Sequence, residues 1–427
     1  MVAMDLHNVK ESARESPLFS DPYVKKVYDL VNDTSLFSAS PDKLLGLRRD
    51  LLRGALAFFA KHNPTYGPLL ESLDIAPKSA DFPDLGRLAV PSDMLRGEGQ
   101  TPFLIGDVDA GGQTFRSSGT TGKMPVTIYR SPLDLDIMLK ANTDLFEYVY
   151  GDTLTQGEGT ALFMAAPELR DKLYFIASVH MTLENKGLDL IYGMDMAQST
   201  DPSKPWLQLQ PNKDNIKRFL SCKDGPKLFF ANPGGVHLMN EKFATMGLFK
   251  KIAFKLAAGA PPVNLREGGV IVTGGGNKGM SGIPPYADIA ARSQDYFTAS
   301  TRSGAPQKVP FMDVLGMTET LTALIDRHGV MDKVPHPLSH VFLLDPKTME
   351  VREDEGTEGI LGIFNPFVTS WPEIFYPGDL MTWHASDRYY GREFVYSRRL
   401  TVEEGWSLQR ACGGTLEEMM DGTPVGT

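Results

Sequence analysis

Ser117-Ser118-Gly119-Thr120-Thr121-Gly122-Lys123 lies between two short β-rich runs, Phe115–Ser117 and Val126–Tyr129. Glycines let a backbone turn tightly and expose its N–H groups, and hydroxyls and a lysine add donors. A loop of this composition is suited to surround phosphate oxygens. It is not a Walker A loop, which needs glycine where Ser117 stands, Ser or Thr where Met124 stands, and a helix immediately after. Val126–Tyr129 instead alternates with the period of a strand. A polar hairpin turn is the alternative for the loop taken alone.

The downstream sequence keeps this texture. Further candidate strands are Ala161–Met164, Leu173–Ile176, Leu228–Ala231, Val270–Thr273, Phe311–Leu315, Val341–Leu344 and Ile360–Phe364. Helical patterns fall between them: from Ser131-Pro132 toward Tyr150, from Asn212 toward Cys222, and through Glu241–Ala258. Gly279 to Pro310 is rich in Gly, Ser, Thr and Pro, and from Thr298 on it reads as an exposed loop. The alternation predicts an α/β protein with helix-flanked sheets. Upstream, residues 1–100 read as a helical N-terminal region. Ser40-Pro41 is a helix start, a capping hydroxyl followed by proline. Leu44, Leu45, Leu51, Leu52, Ala55, Leu56 and Phe59 then share one face, and Arg48, Arg49, Arg53 and Lys61 the opposite, solvated one.

At 427 residues the chain predicts one multi-lobed unit or several subdomains. The net charge of −10 argues against sequence-independent nucleic-acid binding, which needs a basic face. No apolar run approaches the roughly 18 residues of a membrane span. Met1 to Asn8 has no apolar signal core, and two cysteines, Cys222 and Cys412, make no disulfide framework. A cytoplasmic location is expected. No CxxC pair exists for a cysteine-rich zinc site.

Four segments in order resemble the adenylate-forming superfamily of acyl-CoA synthetases and luciferases. Ser117–Lys123 looks like its phosphate loop. Gly274-Gly275-Gly276, after the strand Val270–Thr273, looks like its adenine-contacting segment. Asp313-Val314-Leu315-Gly316-Met317-Thr318-Glu319 looks like its Tyr-Gly-x-Thr-Glu motif, and Tyr376-Pro377-Gly378-Asp379-Leu380 like its Gly-Asp-Leu motif. The resemblance implies ATP and Mg²⁺ as cofactors and a carboxylic acid as substrate. It implies that Thr318 contacts the α-phosphate, that Glu319 helps hold the metal, and that Asp379 binds the ribose hydroxyls. Each role suits its residue: a carboxylate accepts two hydrogen bonds from a diol, and Mg²⁺ binds through few protein carboxylates. The implied architecture is an adenylation core over residues 101–395 and a short tail, 396–427. Phe394-Val395-Tyr396-Ser397-Arg398-Arg399 resembles the family's hinge motif, with Ser397 in place of glycine, and makes Arg398 a nucleotide-site candidate.

The tail departs from the superfamily. Most members carry a C-terminal domain with a lysine that drives adenylation, but here no lysine follows Lys347, so the C-terminal segment is expected to be strongly truncated. Lys123, Lys278 or an arginine near Arg398 is left to neutralise developing charge, or a partner supplies it. Leu408-Gln409-Arg410-Ala411-Cys412-Gly413-Gly414 looks like the acyl-protein synthetase (LuxE) family, whose cysteine near the C-terminus takes the acyl group from acyl-AMP as a thioester. The resemblance implies self-acylation of Cys412 and delivery to an acyl-reductase or carrier protein. A thiolate suits that step. The competing readings are an acid–CoA or acid–carrier ligase, near phenylacetate–CoA ligase, and a non-catalytic nucleotide-binding subunit.

Three further residues are substrate-pocket candidates: His180, after the run Leu173–Ile176, and Asn232 and Gly234, after Leu228–Ala231. Cys222 reads as structural, inside an amphipathic helix. His336 and His340, with His328 and Asp332, have metal-like spacing, but Pro335 and Pro337 forbid the helix that would align them, so a loop is expected.

Overall fold

The helix starts are written locally. Ser40 Oγ accepts the amide of Lys43 ahead of the helix Pro41–His62. Ser131 and Asp134 form a reciprocal capping box on the helix Pro132–Val149, with proline at its first position. A computed structural model describes residues 6–97, 99–105, 112–117, 125–151, 159–198, 207–246, 263–275, 282–300, 306–326, 332–387 and 389–400.

Two sheets organise the chain. In the first, Leu324–Ile325, Phe311–Leu315, Val270–Gly274, Lys227–Ala231, Thr160–Phe163 and Asp189–Tyr192 lie side by side in that order. All pair in parallel except the short edge strand Leu324–Ile325. Lys227–Ala231 and Val270–Gly274 are buried along their whole length, as expected for a parallel sheet covered on both faces. The second sheet has eight strands and is antiparallel, apart from Val90–Pro91, which runs parallel to Ile374–Tyr376. Its long strands Asp379–Ser386 and Gly391–Arg399 pair antiparallel.

Residues 6–97 fold mainly as helices and short turns, apart from the strand Val90–Pro91, and they are not a separate lobe. Their buried side chains, Leu52, Leu56 and Phe59 among them, share one apolar core with Phe364, Phe375 and Phe394 of the second sheet. Tyr23 donates to the Pro366 carbonyl at 2.8 Å. The basic face of the helix Pro41–His62 is docked rather than solvated. Arg48 donates to the Pro337 carbonyl (2.8 Å), Arg49 pairs with Asp81 (2.8 Å), and Arg53 donates to the Ala80 carbonyl (3.0 Å). Only Lys61 keeps an exposed side chain, shared with His62 on Asp21.

Four other expectations change. Leu173–Ile176 is not a strand: Leu173 caps the helix Tyr174–Asn185. That helix buries residues around most of its circumference, so its first turn shows the unbroken apolar run that a buried strand also shows. The helix expected over Glu241–Ala258 starts earlier, as the helix Pro233–Thr245, and residues 247–258 of that expectation lie outside the described residues. Thr298 is no loop residue, because Phe297–Ser300 pairs with Val263–Asn264 and Pro306–Gln307. His340 opens the strand His340–Leu344 and stacks on Phe82 at 3.9 Å, while His336 remains in a loop between Phe37 and Phe367. Asp332 approaches His384 (3.9 Å) instead. Among the described residues, no helix is long and apolar enough to cross a membrane.

Candidate active site

In open parallel sheets, ligands bind beyond the carboxyl ends of the strands. Here that end carries Gly274-Gly275, Asn232 and Gly316. Gly275 takes φ +82°, a conformation that favours glycine. Gly274 and Gly316 make room for one aromatic ring. A Cβ on Gly274 would lie 2.7 Å from Phe175 Cζ, and one on Gly316 would lie 2.9 Å from Phe175 Cδ2. The two glycines therefore let Phe175 of the helix Tyr174–Asn185 pack closely against the strand ends.

The chain leaving Gly316 is held from beneath. Arg130, the last residue of the strand Thr127–Arg130, is completely buried and donates to the carbonyls of Thr318 (3.1 Å) and Glu319 (2.7 Å). Its other terminal nitrogen donates to Glu373 Oε2 at 2.8 Å. Glu373 Oε1 accepts the Leu321 amide (2.8 Å), and Tyr174 donates to the Leu321 carbonyl (2.8 Å). Desolvation of the Arg130 guanidinium is more than offset by Glu373, Tyr174 and Asp134, and its pKa rises. Burial pushes the Glu373 carboxyl up to about 7 against the pull of Arg130.

Above this support, Glu319 is 3% exposed, and its Oε2 is buried with no hydrogen-bond partner. Burial raises its pKa, against its own backbone amide, Ser92, Arg399 and Arg96. A buried carboxylate oxygen without a donor is costly unless a ligand completes it. A hard divalent cation that otherwise keeps water and phosphate ligands fits this donor set. Ser92 and Arg96 come from the segment after Val90–Pro91. Arg96 also bridges to Val126, at the base of the glycine-rich hairpin. That base is tied by Ser117, whose amide donates to Val126 O (2.8 Å) and whose hydroxyl accepts the Val126 amide (2.9 Å).

The second sheet contributes Asp379, which follows Gly378 at φ +84° and is 5% exposed. Its carboxyl is raised by burial, against the pull of Arg399, whose Nε lies 3.4 Å from Asp379 Oδ1. The arginine beside Asp379 is thus Arg399, the neighbour of the candidate Arg398. Successive strand residues face opposite sides, and Arg398 turns outward toward Glu358 (3.7 Å).

An apolar cavity of about 590 Å³, its open mouth included, lies between the helices Pro132–Val149 and Tyr174–Asn185 and the first sheet. Phe146, Tyr174, Phe175, Val179, Phe230 and Val314 line it, and Gly316 and Met317 stand at the motif loop. Among the described residues, no charged side chain lines it.

The structure thus brings Gly274, Gly275, Gly316, Thr318 and Glu319 to one end of the first sheet, with Asp379 presented by the second. Four other candidates are engaged in other contacts. Asp313 accepts from Thr273 (2.7 Å) and from the buried Lys333 (2.6 Å), and so ties strands together. His180 is outside the cavity lining: Tyr192 OH lies 3.0 Å from its Nδ1, and burial with Arg170 lowers its pKa to about 4. Asn232 caps the helix Pro233–Thr245 by accepting the Gly235 amide, and Gly234 is buried in its first turn. Ser118, Gly119, Thr120, Thr121, Gly122, Lys123, Gly276, Lys278 and Cys412 lie outside the described residues. Sequence reasoning missed Arg130, Tyr174, Phe175 and Glu373, and pointed to Arg399 only as an arginine near Arg398. One signal existed: Arg130 follows Ile128 at the inward period of its strand, an odd place for arginine unless paired.

No family model and no curated protein sequence matches the chain. Solved structures do match. One is 2-hydroxyisobutyryl-CoA ligase in the postadenylation state with R3-HIB-AMP, at 16% identity and TM-score 0.56, covering 86% of this chain and 68% of that one. Another is the same ligase with 2-HIB-AMP and CoA in the thioesterification state, at 16% identity and TM-score 0.55, covering 84% and 66%. The chain spans about two-thirds of that ligase's length. The likeness establishes the fold, the α/β architecture of adenylate-forming ligases.

Proposed function

We propose that this protein activates a carboxylic acid with ATP to acyl-AMP, and that Cys412 then takes the acyl group as a thioester for a partner protein. The observation that carries the reading is the Glu319 carboxylate, buried with an unpartnered oxygen on the loop whose Gly316, Met317 and Thr320 line an apolar cavity. A charged site and an uncharged pocket that meet at one loop suit an acid whose head reacts and whose tail is hydrocarbon.

The carboxylate of the acid attacks the α-phosphorus, the new O–P bond forms, and pyrophosphate leaves with the electrons of the broken bond. Such a step needs positioning and charge neutralisation more than a protein nucleophile. Asp379 would accept the ribose hydroxyls, with Arg399 beside it. Thr318 offers a hydroxyl to the α-phosphate, and Glu319 would hold Mg²⁺, whose chemistry is to neutralise phosphate charge. Arg96 and Arg399, whose charges already act on Glu319, supply positive charge there. The cavity excludes water from the acid's tail. In the second half-reaction the Cys412 thiolate attacks the acyl carbonyl and AMP leaves. An acyl-reductase or carrier protein then accepts the group. The ligase resemblance of the fold makes CoA the rival acceptor.

A pyrophosphate-exchange screen over fatty and aryl acids, run on the parent and on Cys412→Ala, tests both halves. Acid-dependent exchange is expected in both proteins, and hydroxylamine-sensitive labelling by radiolabelled acid only in the parent. No exchange with any acid sinks the adenylation reading. Undiminished labelling of Cys412→Ala, or CoA thioester formation that ignores the substitution, removes Cys412 from the route.

A further inference from the structure

Both peptide planes that flank Glu319 are held by one side chain. The Thr318 carbonyl belongs to the peptide before Glu319 and the Glu319 carbonyl to the peptide after it, and Arg130 donates to both. The next stretch is fixed in the same way, because Leu321 gives its amide to Glu373 and its carbonyl to Tyr174. Arg130 also lies over the Tyr174 ring, 5.0 Å from its centroid. An ion pair with both partners fully buried is poor evidence for stability, since well-packed apolar side chains of similar volume often serve as well. What apolar side chains cannot do is donate to two successive carbonyls.

We propose that Arg130 and Glu373 are positioning residues, a clamp that sets the backbone of Thr318 and Glu319 for the activation step; this rests on the adenylation reading above. A guanidinium presents several donors in a rigid plane, so it spans two carbonyls and a carboxylate at once. Lysine has its three donors on a single nitrogen and does not reproduce the two-nitrogen fork that reaches Glu373 from one side and the carbonyls from the other.

The test uses the full chain with Arg130 and Glu373 both replaced by Met, which removes the charge pair without stranding one partner. The double variant is expected to fold with nearly the parent's Tm. Its kcat in acid-dependent pyrophosphate exchange should fall about 100-fold, the scale of a misplacement near 1 Å, with KM for the acid changed by less than about twofold. Deuterium uptake by the amides of residues 318–321 should rise. A double variant with kcat within about threefold of the parent, or with unchanged uptake at these amides, overturns the clamp. Arg130→Lys gives a second reading, should the double variant not fold. It should lose about 10-fold in kcat at an unchanged Tm, and full activity in it overturns the proposal. A parent without exchange activity refutes the adenylation reading instead, and deuterium uptake in the variants still decides the clamp.

Discussion

Glu319 carries the sharpest conflict in the molecule. Its carboxyl is buried, its Oε2 has no partner, and its pKa is raised by burial. A carboxyl raised in the folded state contributes stability that is present below its unfolded pKa and is lost as pH rises through the folded value. At neutral pH the charged form is therefore a burden on the fold. Glu319→Gln should raise stability by about 1 kcal/mol in urea unfolding, and lower acid-dependent pyrophosphate exchange about 100-fold. A variant that is less stable and fully active would contradict the assigned role. The chemical identity of Glu319 and Asp379 was legible in the sequence, because a motif names its residues. The choice of Arg399 over Arg398 was not, since strand register decides it and a slip of one residue reverses the face.

At the scale of elements, the helix Tyr174–Asn185 does most to shape the site. It carries Tyr174 to Leu321, Phe175 over Gly274 and Gly316, and Val179 into the cavity. Its first turn reads as a strand in sequence, because a helix buried on several sides loses the amphipathic signature. The strands of the first sheet are legible for the opposite reason: short apolar runs such as Leu228–Ala231 and Val270–Val272, bounded by breakers, suit buried parallel strands. The Phe175 contacts are testable. Gly316→Ala should cost about 1–3 kcal/mol, because its Cβ would lie within ring contact distance. Gly316→Ala combined with Phe175→Ala should cost less than the sum of the two single changes, read as a coupling energy in a double-mutant cycle. Strict additivity would show that the ring does not press on the glycine.

The whole molecule couples burial to acid stability. Three histidines are held neutral. Burial and Arg170 lower His180 to about 4, burial with Arg48 and Lys140 lowers His336 to about 3, and burial with Arg48, Arg392 and Arg49 takes His340 well below its ordinary value. Groups depressed in this way bind fewer protons folded than unfolded between about pH 6.5 and their folded values. Stability from them is complete above that window and falls as pH drops through it, by about 1.4 kcal/mol per pH unit for each proton. The raised carboxyls of Glu319, Glu373 and Asp379 act in the opposite sense, so the difference between variants is the clean readout. His180→Phe should flatten the pH dependence of the urea midpoint between pH 6.5 and 4 by one proton; an unchanged slope would mean that His180 is protonated in the folded state. Much of the architecture was set by the sequence alone: the α/β alternation, the helix starts at Ser40 and Ser131, and the glycine, Thr-Glu and Gly-Asp segments are local patterns of spacing and side-chain type. The clamp was decided only by tertiary structure. Arg130 meets Thr318 from 188 positions away and Glu373 from 243. Burial sets the charge balance of Glu373 and Glu319, and burial exists only once both sheets and the N-terminal helices have closed over the same core.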